Sequence, residues 1–260
     1  GPMVPYLDRL DEQGVNYYFQ CTLNDYEDLG FEPNVPSLEQ RTRDFIELSD
    51  RLGRGRVIWR FDPIVLANGL GVSDVLDRIE RVGDMVHAHT ERLVFSFVDL
   101  AAYRRLSLPS RKEGFREPTR SEMEGIALGI TEMNRKWGLD LSTCGEEISL
   151  DRYGIRKGSC VDGDLMLSLF SEDKELVAYL QKGNRKDGGQ RKACGCIGSK
   201  DIGEYNTCPH LCKYCYANSS RELVTKNVAS HDRERYGETI TGAVPAIDST
   251  EGTKQTRLFV

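Results

Sequence analysis

The chain has 260 residues, enough to bury one large hydrophobic core, so we expect one main domain with an appendage. Its 35 lysine and arginine residues stand against 41 aspartate and glutamate residues, and this net charge of −6 excludes a general attraction to nucleic acid. No apolar run approaches the roughly 20 residues that span a bilayer, and no signal sequence is present, so a cytoplasmic location is expected.

The first 150 residues alternate strand patterns with helix patterns. Strands are predicted at 15–24, 56–65, 92–100 and 139–147. Helices are predicted at 36–53, 73–89 and 119–138, with Ser37, Ser73 and Thr119 as N-caps. This alternation indicates parallel strands joined by crossover helices. We therefore predict an α/β fold, with a partial (β/α) barrel over 1–150.

The remainder, 151–260, differs in character. Glycine, lysine, aspartate and cysteine become dense, and strand patterns fade. Such a segment cannot build an apolar core of its own, so its cysteines are expected to organise it. From about residue 219 the chain is polar and has few apolar anchors. We predict that this tail wraps the surface or is partly mobile.

Three of the eight cysteines, Cys208, Cys212 and Cys215, lie within eight positions in the spacing C-x3-C-x2-C. In a reducing compartment, clustered thiols bind metal more often than they form disulfides. Structural zinc uses four ligands, and Cys212 with Cys215 would supply only one pair. An iron–sulfur cubane fits better, because a short loop can hold three of its irons and leave the fourth open.

Four further cysteines, Cys144, Cys160, Cys194 and Cys196, are the number that a second, fully ligated [4Fe-4S] cluster requires. The alternative is one zinc site together with one or two buried structural thiols. Cys21, on an apolar strand, is interpreted as a small core residue.

Arg60 and Asp62 lie two residues apart, on the same face of a predicted strand. They are candidate catalytic residues, with Arg60 binding a carboxylate and Asp62 a hydroxyl or ribose. A structural ion pair is the equally weighted alternative. The basic stretches 103–117 and 182–192 could bind phosphate or nucleic acid, but solvated loops are favoured because they carry no interleaved ladder of aromatic residues and the total charge is acidic.

The loop "CPHLCKYCYA" resembles that of the radical S-adenosylmethionine enzymes, and within them the spore photoproduct lyase-like branch. The wider chain, with "VIWRFDPI", "FSFVD", "CGEE", "GSCVDGDL" and "YCYAN" in that order, resembles the DUF1848 family. Members of that family usually begin with further strands. Most radical S-adenosylmethionine enzymes carry their cysteine loop after the first barrel strand, whereas here it follows all of the predicted strands.

The resemblance implies a [4Fe-4S] cluster on Cys208, Cys212 and Cys215, with S-adenosylmethionine bound at the open iron. It implies hydrogen abstraction from an unknown substrate, with electrons from a donor such as flavodoxin or ferredoxin. Tyr214 would lie against the adenine. Glu146 and Glu147 are similar to the glycine–glutamate motif that contacts the amino group of the cofactor. A non-catalytic metal-stabilised binding or electron-transfer module is the alternative function.

Overall fold

The computed structural model describes residues 3–100, 114–182, 186–233 and 239–241. Five strands form one sheet in the order β1-β2-β3-β4-β5, and every neighbouring pair is parallel. They are β1 Phe19–Thr22, β2 Val57–Ile64, β3 Arg92–Phe97, β4 Asp140–Cys144 and β5 Arg156–Gly158. The α/β prediction is confirmed, and an open sheet in sequential strand order is consistent with a partial barrel.

Helices connect and flank these strands. They are α1 Leu7–Glu12, α2 Leu38–Leu52, α3 Val72–Val86, α4 Arg120–Trp137, α5 Gly163–Leu169, α6 Lys174–Gln181 and α7 Arg221–Arg233. Helices α2, α3 and α4 follow β1, β2 and β3 as the predicted crossovers. Within the described ranges, no helix combines the length and apolar character that crossing a membrane requires.

The helix caps follow local sequence at two of the three predicted positions. Ser37 accepts a hydrogen bond from the amide of Gln40 at 3.3 Å, and Thr119 caps α4 in the same way. The prediction for α3 was wrong, because Gly71 is its N-cap. The Asp74 carboxylate accepts a hydrogen bond from the Gly71 amide at 2.8 Å, so the helix begins before the expected serine.

One face of the sheet carries the main core. Alternate residues of the strands, such as Trp59, Phe61 and Phe95, are fully buried against the crossover helices. Cys21 packs against this core, as predicted, and burial raises the pKa of its thiol to about 11.

The opposite face of the sheet is more polar, and we call it the inner face. Because successive side chains of a strand point to opposite faces, the residues that alternate with the core residues point to the inner face. Its apolar part is small, with Ile58, Val94 and Leu165 buried together. Its remaining side chains include Gln20, Arg60, Asp62, Ser96 and Cys144.

The C-terminal part is more regular than predicted. The sequence patterns gave no indication of β5, α5 or α6, since β5 has only three residues and no alternation. The polar tail predicted from 219 begins with helix α7, which buries Val224. The rest of that predicted tail, apart from 239–241, lies outside the described residues.

Candidate functional site

Arg60 and Asp62 form an ion pair on the inner face, in the middle of β2. The Arg60 guanidinium also donates to Gln20 Oε1 at 2.6 Å and to Cys160 Sγ at 2.8 Å. The Ser96 hydroxyl donates to the Asp62 carboxylate. The predicted pair therefore belongs to a wider polar network, of which Ser96 was not predicted. The polar residue within the apolar run "FSF" was the available signal.

The four-cysteine group, Cys144, Cys160, Cys194 and Cys196, is brought together from three separate parts of the chain. Cys144 ends β4, and its sulfur lies 2.7 Å from that of Cys160, which follows β5. The thiols of Cys160 and Cys196 interact, and so do those of Cys196 and Cys194. Cys196 also accepts a hydrogen bond from the amide of Val161 at 3.4 Å.

The cysteine loop, residues 206–218, lies beside the stretch that follows β1. The amide of Asn34 donates to the carbonyl of His210 at 3.3 Å, and the Asn34 side chain donates to the carbonyl of Pro209 at 2.9 Å. The amide of Lys213 donates to the carbonyl of Phe31 at 2.9 Å. The loop follows the sheet in sequence but contacts the chain just beyond its first strand.

Tyr214 connects the cysteine loop to the ends of β1 and β2. Its hydroxyl donates to Glu32 and accepts from the Asn24 side chain at 3.1 Å, while its ring meets Tyr26 edge to face at 6.1 Å between centroids. Asn24, fully buried, also exchanges hydrogen bonds with the backbone of Asp62. Sequence reasoning missed Glu32, which carries no local motif.

Burial raises the pKa of the Glu32 carboxyl group. Its Oε2 atom lies 3.4 Å from the Arg41 guanidinium, and both side chains are nearly inaccessible to solvent. Because the Tyr214 hydroxyl donates to Glu32, this buried ion pair is connected to the cysteine loop through Tyr214.

The three thiols of the cysteine loop lie close enough to influence one another. Burial, together with the negative charges of Glu32, Cys215 and Cys208, raises the pKa of Cys212 to about 12. Cys208 is exposed, and the other two are half-buried. The amide of Cys215 closes a turn onto the carbonyl of Cys212 at 3.0 Å.

Glu146 and Glu147 differ in their surroundings. Glu146 is half-buried, accepts a hydrogen bond from the amide of Phe97 at 2.8 Å, and has its pKa raised to about 7 by burial. The Glu147 side chain is exposed. Both follow β4, so they lie at the edge where the parallel strands end.

No set of three or more Cys, His, Asp or Glu side chains in the described ranges already has the spacing of ligands around one metal ion.

The two basic stretches are only partly described, since 101–113 and 183–185 lie outside the described ranges. Arg116 pairs with Glu122 at 2.6 Å, and Arg191 pairs with Asp99 at 3.3 Å.

A family model described as "Domain of unknown function (DUF1848)" matches residues 1–217. The chain belongs to the DUF1848 family. The family prediction is thus confirmed, and the match covers the whole sheet, the four-cysteine group and all three cysteines of the loop. No curated protein and no solved structure matches this DUF1848 chain. Its link to radical S-adenosylmethionine chemistry stays a prediction.

Proposed function

We propose that this DUF1848 protein is an iron–sulfur enzyme that cleaves S-adenosylmethionine reductively and abstracts hydrogen from a substrate bound over the strand ends. The observation that carries the proposal is the position of the cysteine loop. Although the loop follows the sheet in sequence, it is fastened to the chain just after β1 through Asn24 and Tyr214. That is the place in the fold where the resemblance leads one to expect such a loop.

The residues of the loop fit an iron–sulfur cluster by their donor chemistry. Cys208, Cys212 and Cys215 supply three thiols from one short turn, and each interacts electrostatically with another. No fourth cysteine lies within the loop, so one iron would lack a protein ligand there. When bound, such a cluster supplies the single electron that cleaves S-adenosylmethionine to methionine and a 5′-deoxyadenosyl radical.

The chain's own residues would hold the loop and the reactants. Asn24 and Glu32 fix Tyr214, and Tyr214 in turn fixes the loop backbone next to Cys215. The half-buried ring of Tyr214 remains our candidate for contact with the adenine. These contacts would hold the cofactor site at a fixed position beside the strand ends.

Polar groups on the inner face would receive the substrate and the polar end of the cofactor. Arg60 and Asp62 carry opposite charges in one network, so they offer both a cation and an acceptor. Glu146 is the better candidate of the two glutamates for an amino group, because the Phe97 amide fixes its carboxylate. The solvent-exposed side chain of Glu147 has no comparable support.

The test is reductive cleavage by anaerobically reconstituted protein. Reduced with dithionite, or through flavodoxin or ferredoxin, the protein should release 5′-deoxyadenosine from S-adenosylmethionine. Cys212→Ala should lower this release at least about a hundredfold, whereas Cys21→Ala, a change in the apolar core, should leave it unaltered.

The proposal is abandoned if iron-loaded, reduced protein releases no 5′-deoxyadenosine and its electron paramagnetic resonance spectrum is unchanged by S-adenosylmethionine. Iron without cleavage would leave electron transfer as the function. Stoichiometric zinc on the cysteine loop, with no iron, would leave a structural module.

A further inference from the structure

The thiols of the four-cysteine group contact one another, and among the described residues their sulfur partners include none of the cysteines of the loop. The members of this group come from three segments of the chain. Cys144 and Cys160 are 16 residues apart in sequence, and the third segment carries Cys194 and Cys196. Independent parts of a chain place their thiols together only when the fold directs them to one point. Local sequence cannot do this.

The surroundings of the group differ from those of a cysteine in a hydrophobic core. Cys21 illustrates the core case, since it packs among apolar side chains. By contrast, Cys160 receives a hydrogen bond from Arg60, and its own carbonyl accepts from Gln20 and from the Tyr18 hydroxyl at 2.8 Å. A permanent cation beside sulfur can partly balance the negative charge that a thiolate–metal centre carries.

The segment that carries two of these thiols buries little apolar surface, although Arg191 within it forms an ion pair with Asp99. Between 186 and 200, Cys196 and Ile197 are the buried residues among those described. Backbone contacts are few, with the Ile197 amide donating to the Val161 carbonyl at 3.1 Å and the Asp187 amide to the Cys196 carbonyl at 2.9 Å. Two buried side chains cannot offset the chain entropy of ordering so many residues.

The sulfur atoms of Cys144 and Cys160 are in contact but closer together than two ligands of one metal ion, so the thiols would have to separate to bind one. Two thiolates on one tetrahedral zinc ion lie about 3.8 Å apart, given Zn–S bonds of about 2.3 Å. Cys144 and Cys160 are closer than this, at 2.7 Å, so binding would move them apart by about 1 Å. Side-chain rotation can supply that movement, and a cubane would require a larger one.

We propose that Cys144, Cys160, Cys194 and Cys196 bind a second metal centre through four thiolates and so fasten the segment 186–200 to the end of β4. The ligand is a thiophilic metal species, either a [4Fe-4S] cluster or a single zinc ion. When zinc or a preassembled [4Fe-4S] cluster binds, the four thiol protons pass to solvent and no electron is transferred to or from the protein.

The experiment uses the full chain with Cys208, Cys212 and Cys215 all replaced by alanine, so the outcome does not depend on the proposed function. After anaerobic reconstitution with iron and sulfide, or incubation with zinc alone, this variant should retain about four irons or one zinc ion per chain. The further replacement of Cys194 and Cys196 by alanine should abolish that binding. Replacement of Cys21 instead should leave it intact.

A second measurement keeps the test valid if the five-alanine variant fails to fold. Trypsin can cleave the segment after Lys186, Arg191, Lys192 and Lys200. In the loop-deficient variant, bound metal should slow cleavage there at least about tenfold relative to chelator-treated protein, because metal binding lowers the population of the open segment.

The proposal is overturned if the loop-deficient variant, folded and reduced, binds neither metal stoichiometrically. It is also overturned if mass spectrometry finds Cys144 and Cys160 joined as a disulfide in protein prepared with iron or zinc. Equal trypsin cleavage with and without chelator would contradict the fastening role.

Discussion

Replacing Tyr214 by phenylalanine tests whether the polar contacts behind the cysteine loop hold it in place. The change removes one hydroxyl and keeps the ring packed against Tyr26. It deletes a donor to Glu32 and an acceptor for Asn24, both of which are buried. The Glu32 carboxylate would then keep only the Asn24 contact, at 3.3 Å, together with its ion pair.

The magnitude follows from the charge and burial of the partner. A hydrogen bond to a charged group contributes about 1.5–3 kcal/mol, and a buried acceptor that loses its donor bears the full desolvation cost. We therefore expect Tyr214→Phe to lower the free energy of unfolding by about 2 kcal/mol. For a chain of this size that corresponds to a fall in melting temperature of about 4–8 °C.

Thermal unfolding followed by circular dichroism measures the effect. The matched control is Tyr179→Phe, because Tyr179 lies on α6 with 51% of its surface exposed, and its change should stay within about 0.5 kcal/mol. Equal melting temperatures for the two variants would refute the reasoning, since the hydroxyl would then contribute nothing to stability.

Two further predictions concern the helices that cover the sheet. Gly83→Ala should destabilise the protein by about 2 kcal/mol, because a methyl group at this position would overlap the indole of Trp137. Gly125→Ala, where the added methyl group meets open space, should stabilise the protein by about 0.5–1 kcal/mol. Urea unfolding measures both changes, and equal effects would contradict the close packing at Gly83. The pKa of Glu122 is lowered to about 2, chiefly by its hydrogen bond from Arg116, so its ionised form stabilises the fold above about pH 4.5, and this is lost as the pH falls toward 2. Glu122→Gln should reduce the loss of unfolding free energy between about pH 4.5 and pH 2 by about 0.5 kcal/mol, a small value because solvent screens the Glu122–Arg116 pair. Identical acid unfolding curves for the variant and the unchanged protein would contradict this prediction.

Sequence alone predicted the features that depend on near neighbours. The alternation of strand and helix patterns determines a parallel sheet, since period and crossover length are local properties. The caps at Ser37 and Thr119 depend on residues only three positions away. The spacing of the cysteine loop and the shared face of Arg60 and Asp62 were visible for the same reason. At α3, a competing local contact from Asp74 overrode the expected cap.

Tertiary structure decided the features that join distant residues. Tyr214 and Asn24 are 190 positions apart, yet their hydrogen bond sets the cysteine loop beside the first strand. Glu32 belongs to this support only because the chain folds back over it. The count of four cysteines suggested a second site, but only folding brought thiols from β4, from beyond β5 and from 186–200 to one place. Such contacts depend on long-range chain closure and on burial against other segments, which no short pattern in the sequence records.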